Sequence, residues 1–153
     1  MQSITLIIKS LKKDYPEFNF TLGDDFIWSH KDKTIYYSDN DKEISLLFHE
    51  LAHAVLGHFD YKKDVELLKM EATAWDKAIE LASKYQIKID NDLVESTLDT
   101  YRDWLHARST CKNCQATGLE IKKNTYKCLA CDNQWRVNDA RTCALRRYNL
   151  NIK

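Results

Sequence analysis

The chain has 153 residues, 44% hydrophobic and 30% charged, with a formal net charge of zero. That is one average domain with room for an appendage of ~40–50 residues. No apolar run approaches the ~20 residues that span a bilayer, which argues against a transmembrane protein. The N-terminal MQSITLIIKSLKKDY has no small-residue cleavage site of a secretory signal, so a cytoplasmic location is expected. Three Gly and one Pro exclude collagen-like and low-complexity classes. The charge is unevenly placed. Residues 1–110 hold 14 Lys/Arg and 20 Asp/Glu, while residues 111–153 hold 9 and 3. All five cysteines also lie in the second segment. An acidic body, 1–108, and a basic cysteine module, 109–153, are expected.

In chain order, residues 3–13 fit a helix with Ile4, Ile7, Ile8 and Leu11 on one stripe, ended by Pro16. FNFTL (18–22), FIWS (26–29) and TIYYS (34–38) read as strands, the last two joined by HKDK as a hairpin. A small antiparallel sheet is expected. Asn40 followed by Glu43 resembles a capping box. The run 44–58, ISLLFHELAHAVLGH, is apolar on nearly every side, so its helix should be buried, with Gly57 as C-cap. A helix over 64–85 should centre on Leu68, Ala72, Trp75, Ile79 and Ala82. Another over 92–107, capped by Asp90 or Asp92, should turn Leu93, Thr97, Leu98, Tyr101, Trp104 and Leu105 inward. The whole reads as α+β.

His49-Glu50-Leu51-Ala52-His53 has the His-Glu-x-x-His spacing. Residues four apart share a helical face, so both imidazoles reach one metal ion. Glu50, about 100° round the helix, can act on the ion's water. Two histidines and a glutamate on so apolar a helix are costly to bury without a partner. Catalytic zinc commonly takes three protein ligands. The metzincin histidine would fall at Phe59, and an uninterrupted helix turns His58 about 180° from His49. His58 is therefore expected at a helix end or exposed, or else in a hydrogen bond near a cleft. On the next helix, with Trp75 at the centre, Glu71 falls about 40° away and Glu66 about 180°. Glu71 is the better third ligand.

HELAHAVLGH (49–58) followed by MEATAW (70–75) resembles the minimal zinc peptidases of the ImmA/IrrE type, over roughly residues 1–108. The resemblance implies His49, His53 and Glu71 as zinc ligands and Glu50 as catalytic acid/base. It also implies a protein substrate, since that family is associated with cleavage or inactivation of DNA-bound repressors, often in mobile elements. A zinc ribbon joined to such a helix is similar to the SprT/Spartan-like proteases, and the motif also resembles antirestriction proteins of the ArdC type.

Cys111-x2-Cys114 and Cys128-x2-Cys131 are two knuckles that together close a tetrahedral structural zinc around the hairpin GLEIKKNTYK. Such a site substitutes for the core that ~40 residues cannot build. Cys143 is the odd thiol, read as a small buried hydrophobe. Arg141, Arg146 and Arg147, with Trp135 and Tyr148, could meet phosphates and stack on bases, or dock an acidic protein surface. The expectation is a cytoplasmic zinc endopeptidase holding one catalytic and one structural Zn2+, acting on a protein substrate, with DNA as a candidate partner and no membrane. The rival is a non-enzymatic DNA- or protein-binding module with a peptidase-like body, which has no need of Glu50.

Overall fold

The computed structural model describes residues 2–139 and 144–150. Among these, the chain is α+β with four α-helices and two sheets. It divides into two compact units, Met1–Asp60 with Met70–Val94, and Tyr61–Lys69 with Glu95–Lys153. The division expected after residue 108 is thus displaced. Residues 61–69 and 95–108 group with the cysteine segment, for a reason given below.

In the first unit, α1 (Ile4–Asp14) starts at Ser3, whose Oγ accepts from the Thr5 N–H at 3.3 Å. It buries Ile4, Ile7, Ile8 and Leu11, the expected stripe. Three strands follow, β1 (Asn19–Leu22), β2 (Ile27–Ser29) and β3 (Thr34–Tyr37). β2 and β3 form the expected antiparallel hairpin. β1, however, runs parallel to β3, giving the order β1-β3-β2. The sheet is therefore mixed, not antiparallel. The 23–26 link is a loop rather than a hairpin turn, so β1 and β2 do not pair. The middle place goes to β3, which supplies the buried Thr34 and Ile35.

A 3-10 turn (Asp41–Glu43) precedes α2 (Ile44–Leu56). Asn40 caps that turn, its Oδ1 accepting from the Lys42 N–H at 3.1 Å. Glu43 makes no side-chain cap bond. The expected reciprocal box is absent because the 3-10 turn sets Asn40 one turn ahead of the α-helix. α2 packs on β2 and β3 and buries Leu47, Phe48, His49, Leu51, Ala52, His53 and Ala54. Val55 and Leu56 at its end are exposed. Gly57 ends it at φ 70°, a left-handed position that costs an L-residue ~1–2 kcal/mol.

α3 (Asp64–Ser83) contributes Glu71, Ala74, Trp75, Ala78, Leu81 and Ala82 to the first unit's interior. Its stripe is rotated from the expected one, since Ile79 is 40% exposed and Ala78 takes the inner place. α4 (Asn91–Ser109) is capped by Asp90, whose carboxylate accepts from the Asp92 N–H at 3.1 Å. Val94 and Leu98 are its buried apolar residues, and Leu93 is exposed.

In the second unit, β4 (Gly118–Lys122), β5 (Thr125–Cys128), β6 (Gln134–Val137) and β7 (Arg147–Asn149) form one antiparallel sheet in that order. Cys111, Tyr126, Cys128, Trp135 and Val137 make its small core. A Cβ on Gly118 would lie 2.5 Å from the Trp135 ring, so that position must be glycine.

Beside this core lies a buried polar network. The Asp64 carboxylate accepts from Arg108 Nε at 2.7 Å and from the Tyr126 hydroxyl at 2.6 Å. The Asp64 N–H donates to Glu120 at 2.6 Å. Arg108 also donates to Asn124 Oδ1 at 2.7 Å, and its carbonyl accepts from the Trp135 indole at 2.9 Å. Burial and the bond to Asp64 together push the Tyr126 hydroxyl well above its usual pKa. These bonds are why the start of α3 and the end of α4 belong with the ribbon. Arg108 and Asp64 are each 1% exposed, so removing one strands the other. Arg108→Ala should cost about 3–5 kcal/mol. Tyr126→Phe, which removes one bond to a charged acceptor, should cost about 1–3 kcal/mol. Urea denaturation of the two variants checks the order and the gap between them.

Candidate metal centres

α2 and α3 bring three side chains of the first unit together. His49 Nε2 lies 2.9 Å from Glu71 Oε2, and His53 Nε2 lies 3.2 Å from Glu71 Oε1. The two Nε2 atoms are 3.1 Å apart. Donor atoms at 2.0–2.1 Å from a tetrahedral ion stand about 3.3 Å from one another, so this triangle suits one small cation. All three residues are buried. Glu71 therefore occupies the place expected of it. Glu66 lies away from the triangle, also as expected: its carboxylate accepts from the Lys62 and Lys63 N–H groups at 2.8 and 3.3 Å, closing the first turn of α3.

The two imidazoles are held differently. The His49 ring stacks on Trp75, with centroids 4.2 Å apart and planes at 24°. Its Nδ1 is buried with no hydrogen-bond partner among the described residues. The His53 ring has its Nδ1 3.1 Å from His58 Nδ1. His58 is half-buried and lies just past the end of α2, and it makes the alternative hydrogen bond expected of it. The chain leaves α2 at Gly57 and turns back, with the His58 N–H donating to the His53 carbonyl at 2.9 Å.

Glu50 lies beside this triangle but outside it. Its Oε2 accepts from the Trp28 backbone N–H at 2.7 Å. With Asp24, Asp25, Phe26, Glu43 and Leu46, it lines a cavity of about 330 Å³. Burial raises the Glu50 carboxyl above its ordinary pKa, against the lowering influence of His49 and His53. Glu71 moves the other way. Burial would raise it, but the hydrogen bonds from His49 and His53 outweigh that and hold it at about 2. Trp28 was not foreseen in the sequence, because its role is played by a backbone N–H and by an indole whose partner is 30 residues away.

In the second unit, the four knuckle sulfurs converge. Cys111 and Cys131 Sγ are 3.7 Å apart, and Cys114 and Cys128 Sγ are 3.4 Å apart. Zn–S bonds of 2.3 Å would set such spacings at about 3.8 Å. The two knuckles have the same build. Cys111 N–H donates to Ala116 O and Cys128 N–H to Asn133 O, while Gln115 and Asp132 take positive φ. The Cys128 thiol is lowered, first by the Cys131 N–H. Burial works against Cys111, yet the N–H groups of Cys114 and Asn113 lower it to about 6. The Cys114 and Cys131 thiols move the other way: backbone N–H groups lower them, but burial and hydrogen bonds with the neighbouring thiols raise them more. All four cysteines are free thiols.

The proposed nucleic-acid residues fare unevenly. Trp135 is 1% exposed, stacked on Tyr126 and hydrogen-bonded, so it cannot stack on a base. It was needed to fill the ribbon core. Arg147 spends a guanidinium N–H on the Thr110 carbonyl at 2.7 Å. Arg146 and Tyr148 are exposed, and Arg136, not foreseen, sits over the Tyr148 ring. Arg141 and Cys143 lie outside the described residues. No helix among the described residues is long and apolar enough to cross a membrane. Comparison with protein-family models, curated proteins and solved structures finds no match.

Two centres of different donor chemistry predict two zinc ions per chain. Cys111→Ser with Cys128→Ser should remove one and leave the other, as metal analysis would show. The metal-free protein carries a pH signature. The folded Glu71 pKa lies below its ordinary 4.5. Its contribution to stability is therefore complete above about 4.5 and is lost as pH falls toward about 2. In chelator-treated protein, the stability gap between wild type and Glu71→Gln should narrow across that window.

Proposed function

We propose that this chain is a zinc-dependent endopeptidase acting on a protein substrate. The observation that carries this reading is the position of Glu50. It shares a helix with His49 and His53, stands outside the ligand triangle and lines a cavity with Asp24, Phe26 and Leu46. A purely structural metal site needs no such acid.

His49, His53 and Glu71 would hold the ion, and the ribbon cysteines a second one. Bound among three ligands, zinc supplies a Lewis acid for the scissile carbonyl and acidifies water at its open position. The chain does the rest. The Trp28 N–H holds one oxygen of Glu50 in place. Glu50 takes a proton from the attacking water and gives it to the departing amide nitrogen, so it ends the cycle as it began. Burial favours the protonated form of Glu50, which suits an acid that must carry that proton.

The likeness of HELAHAVLGH and MEATAW to the ImmA/IrrE type supports a substrate that is DNA-bound, such as a repressor. The ribbon would then help the peptidase find it. The exposed Arg146 and the Arg136–Tyr148 pair favour this role. Four reduced cysteines fit a cytoplasmic setting.

Glu50→Gln should retain both metals and lose about 10²–10⁴-fold in hydrolysis, measured on a co-expressed repressor or on the chain's own autolysis, with chelator as control. Hydrolysis that survives both chelator and Glu50→Gln would refute the reading. For the ribbon, DNA affinity should fall steeply with salt, and Arg146→Ala should reduce the log–log slope by about 0.9. No gel shift at low salt would leave the ribbon a structural or protein-docking element.

A further inference from the structure

Four groups of the first unit are joined end to end. Glu50 Oε2 accepts from the Trp28 N–H at 2.7 Å. The Trp28 indole Nε1–H donates to the His58 carbonyl at 3.1 Å. His58 Nδ1 meets His53 Nδ1 at 3.1 Å. Gly57, at φ 70°, makes the return possible by bending the chain straight after α2. The chain of contacts thus begins at the candidate catalytic acid and ends on a candidate ligand, and its two middle members are residues for which the sequence offers no metal role.

We infer that His58 is a positioning residue. It accepts the Nδ1–H of His53 and so fixes the tautomer and ring angle that leave His53 Nε2 bare for the metal, while Trp28 ties this acceptor to Glu50. This inference rests on the metal-binding reading of His49, His53 and Glu71. The logic is that of proton inventory. A neutral imidazole carries one N–H, and the nitrogen facing the metal must carry none. His53 Nε2 shares the ligand triangle with Glu71 Oε1 and His49 Nε2, so with an ion held there its proton would belong on Nδ1. His58 Nδ1 stands at that proton's end and accepts it, with its own proton on Nε2. Metal-ligating histidines ordinarily give their second N–H to such an acceptor, and its loss costs 10–100-fold in metal affinity. His49 has no acceptor at Nδ1 among the described residues and is oriented by stacking on Trp75 instead. The two ligands therefore depend on different supports, and only His53 should respond to changes at residue 58.

The test uses an acceptor swap. The Oδ1 of Asn occupies nearly the place of a histidine Nδ1, whereas Leu has similar bulk and no acceptor. In the full-length protein with its ribbon site filled, Zn2+ affinity of the second site is measured by competition with a chelator. His58→Leu should weaken it by 10–100-fold. His58→Asn should stay within about threefold of wild type. Equal affinity for wild type and His58→Leu, or equal weakness for Asn and Leu, overturns the inference. A second readout needs no variant. In the wild type with both sites filled by Zn2+, ¹⁵N–¹H correlation of the imidazoles should show His53 protonated on Nδ1, and an Nε2–H tautomer overturns the inference even if His58→Leu fails to fold. If the wild type takes up only the ribbon's ion, the metal-binding reading itself falls and takes this one with it. If it takes up two and the swap has no effect, only the role of His58 falls.

Discussion

An ionised carboxylate cannot be buried alone, and this constraint shapes both units. α3 carries two such groups, Asp64 and Glu71, 1% and 6% exposed. Asp64 is answered by the Arg108 guanidinium, the Tyr126 hydroxyl and, through its backbone, the Glu120 carboxylate. Glu71 is answered by two imidazoles. The difference in the answers decides what each place can be. A guanidinium holds its charge at any ordinary pH, and with the Tyr126 hydroxyl it ties Asp64 to residues from 44 to 62 positions away. Imidazoles can surrender the proton and offer lone pairs. The same burial of an acid thus yields a structural joint in one unit and a donor triangle open to a cation in the other.

The site residues were largely legible because their spacing has a geometric meaning. The i, i+4 histidines and the apolar run around them placed His49 and His53 on a buried helix, and the helical wheel put Glu71 inward and Glu66 outward. Two matched Cys-x2-Cys knuckles needed no more than counting. What escaped were features without a period. The parallel pairing of β1 with β3 depends on which strand takes the centre, and strand patterns do not encode that order. The Asp64–Arg108 bond joins residues 44 apart, and neither looks unusual in its own helix. Composition near residue 110 suggested a boundary, yet the contacts cross it because Asp64, Arg108 and Tyr126 share one network.

Ideal helical geometry has limits. It places Ile79 on the inner face of α3, where a small rotation prefers Ala78, and it separates His58 from the histidine face, where the left-handed Gly57 brings His58 back to His53. Trp135 was read from its neighbours in sequence as a base-stacking aromatic. A module with so few apolar residues spends its largest side chain, beside Tyr126, on its core. The aromatic that remains available, Tyr148, is paired with Arg136 rather than with the arginines beside it in the chain.

The two knuckles match in backbone but not in exposure. Cys111 and Cys128 are buried, one from each knuckle, while Cys114 and Cys131 are exposed. The sulfur cluster therefore has an inside and an outside. A competing thiol or chelator meets Cys114 and Cys131 first, and these are the two sulfurs that can swing away without opening the core. Cys111 and Cys128, fixed under Trp135 and Tyr126, keep their grip until last. Exchange of an ion held there would on this account be sequential and one-sided, its rate governed by the outer pair while the inner pair preserves the shape of the site.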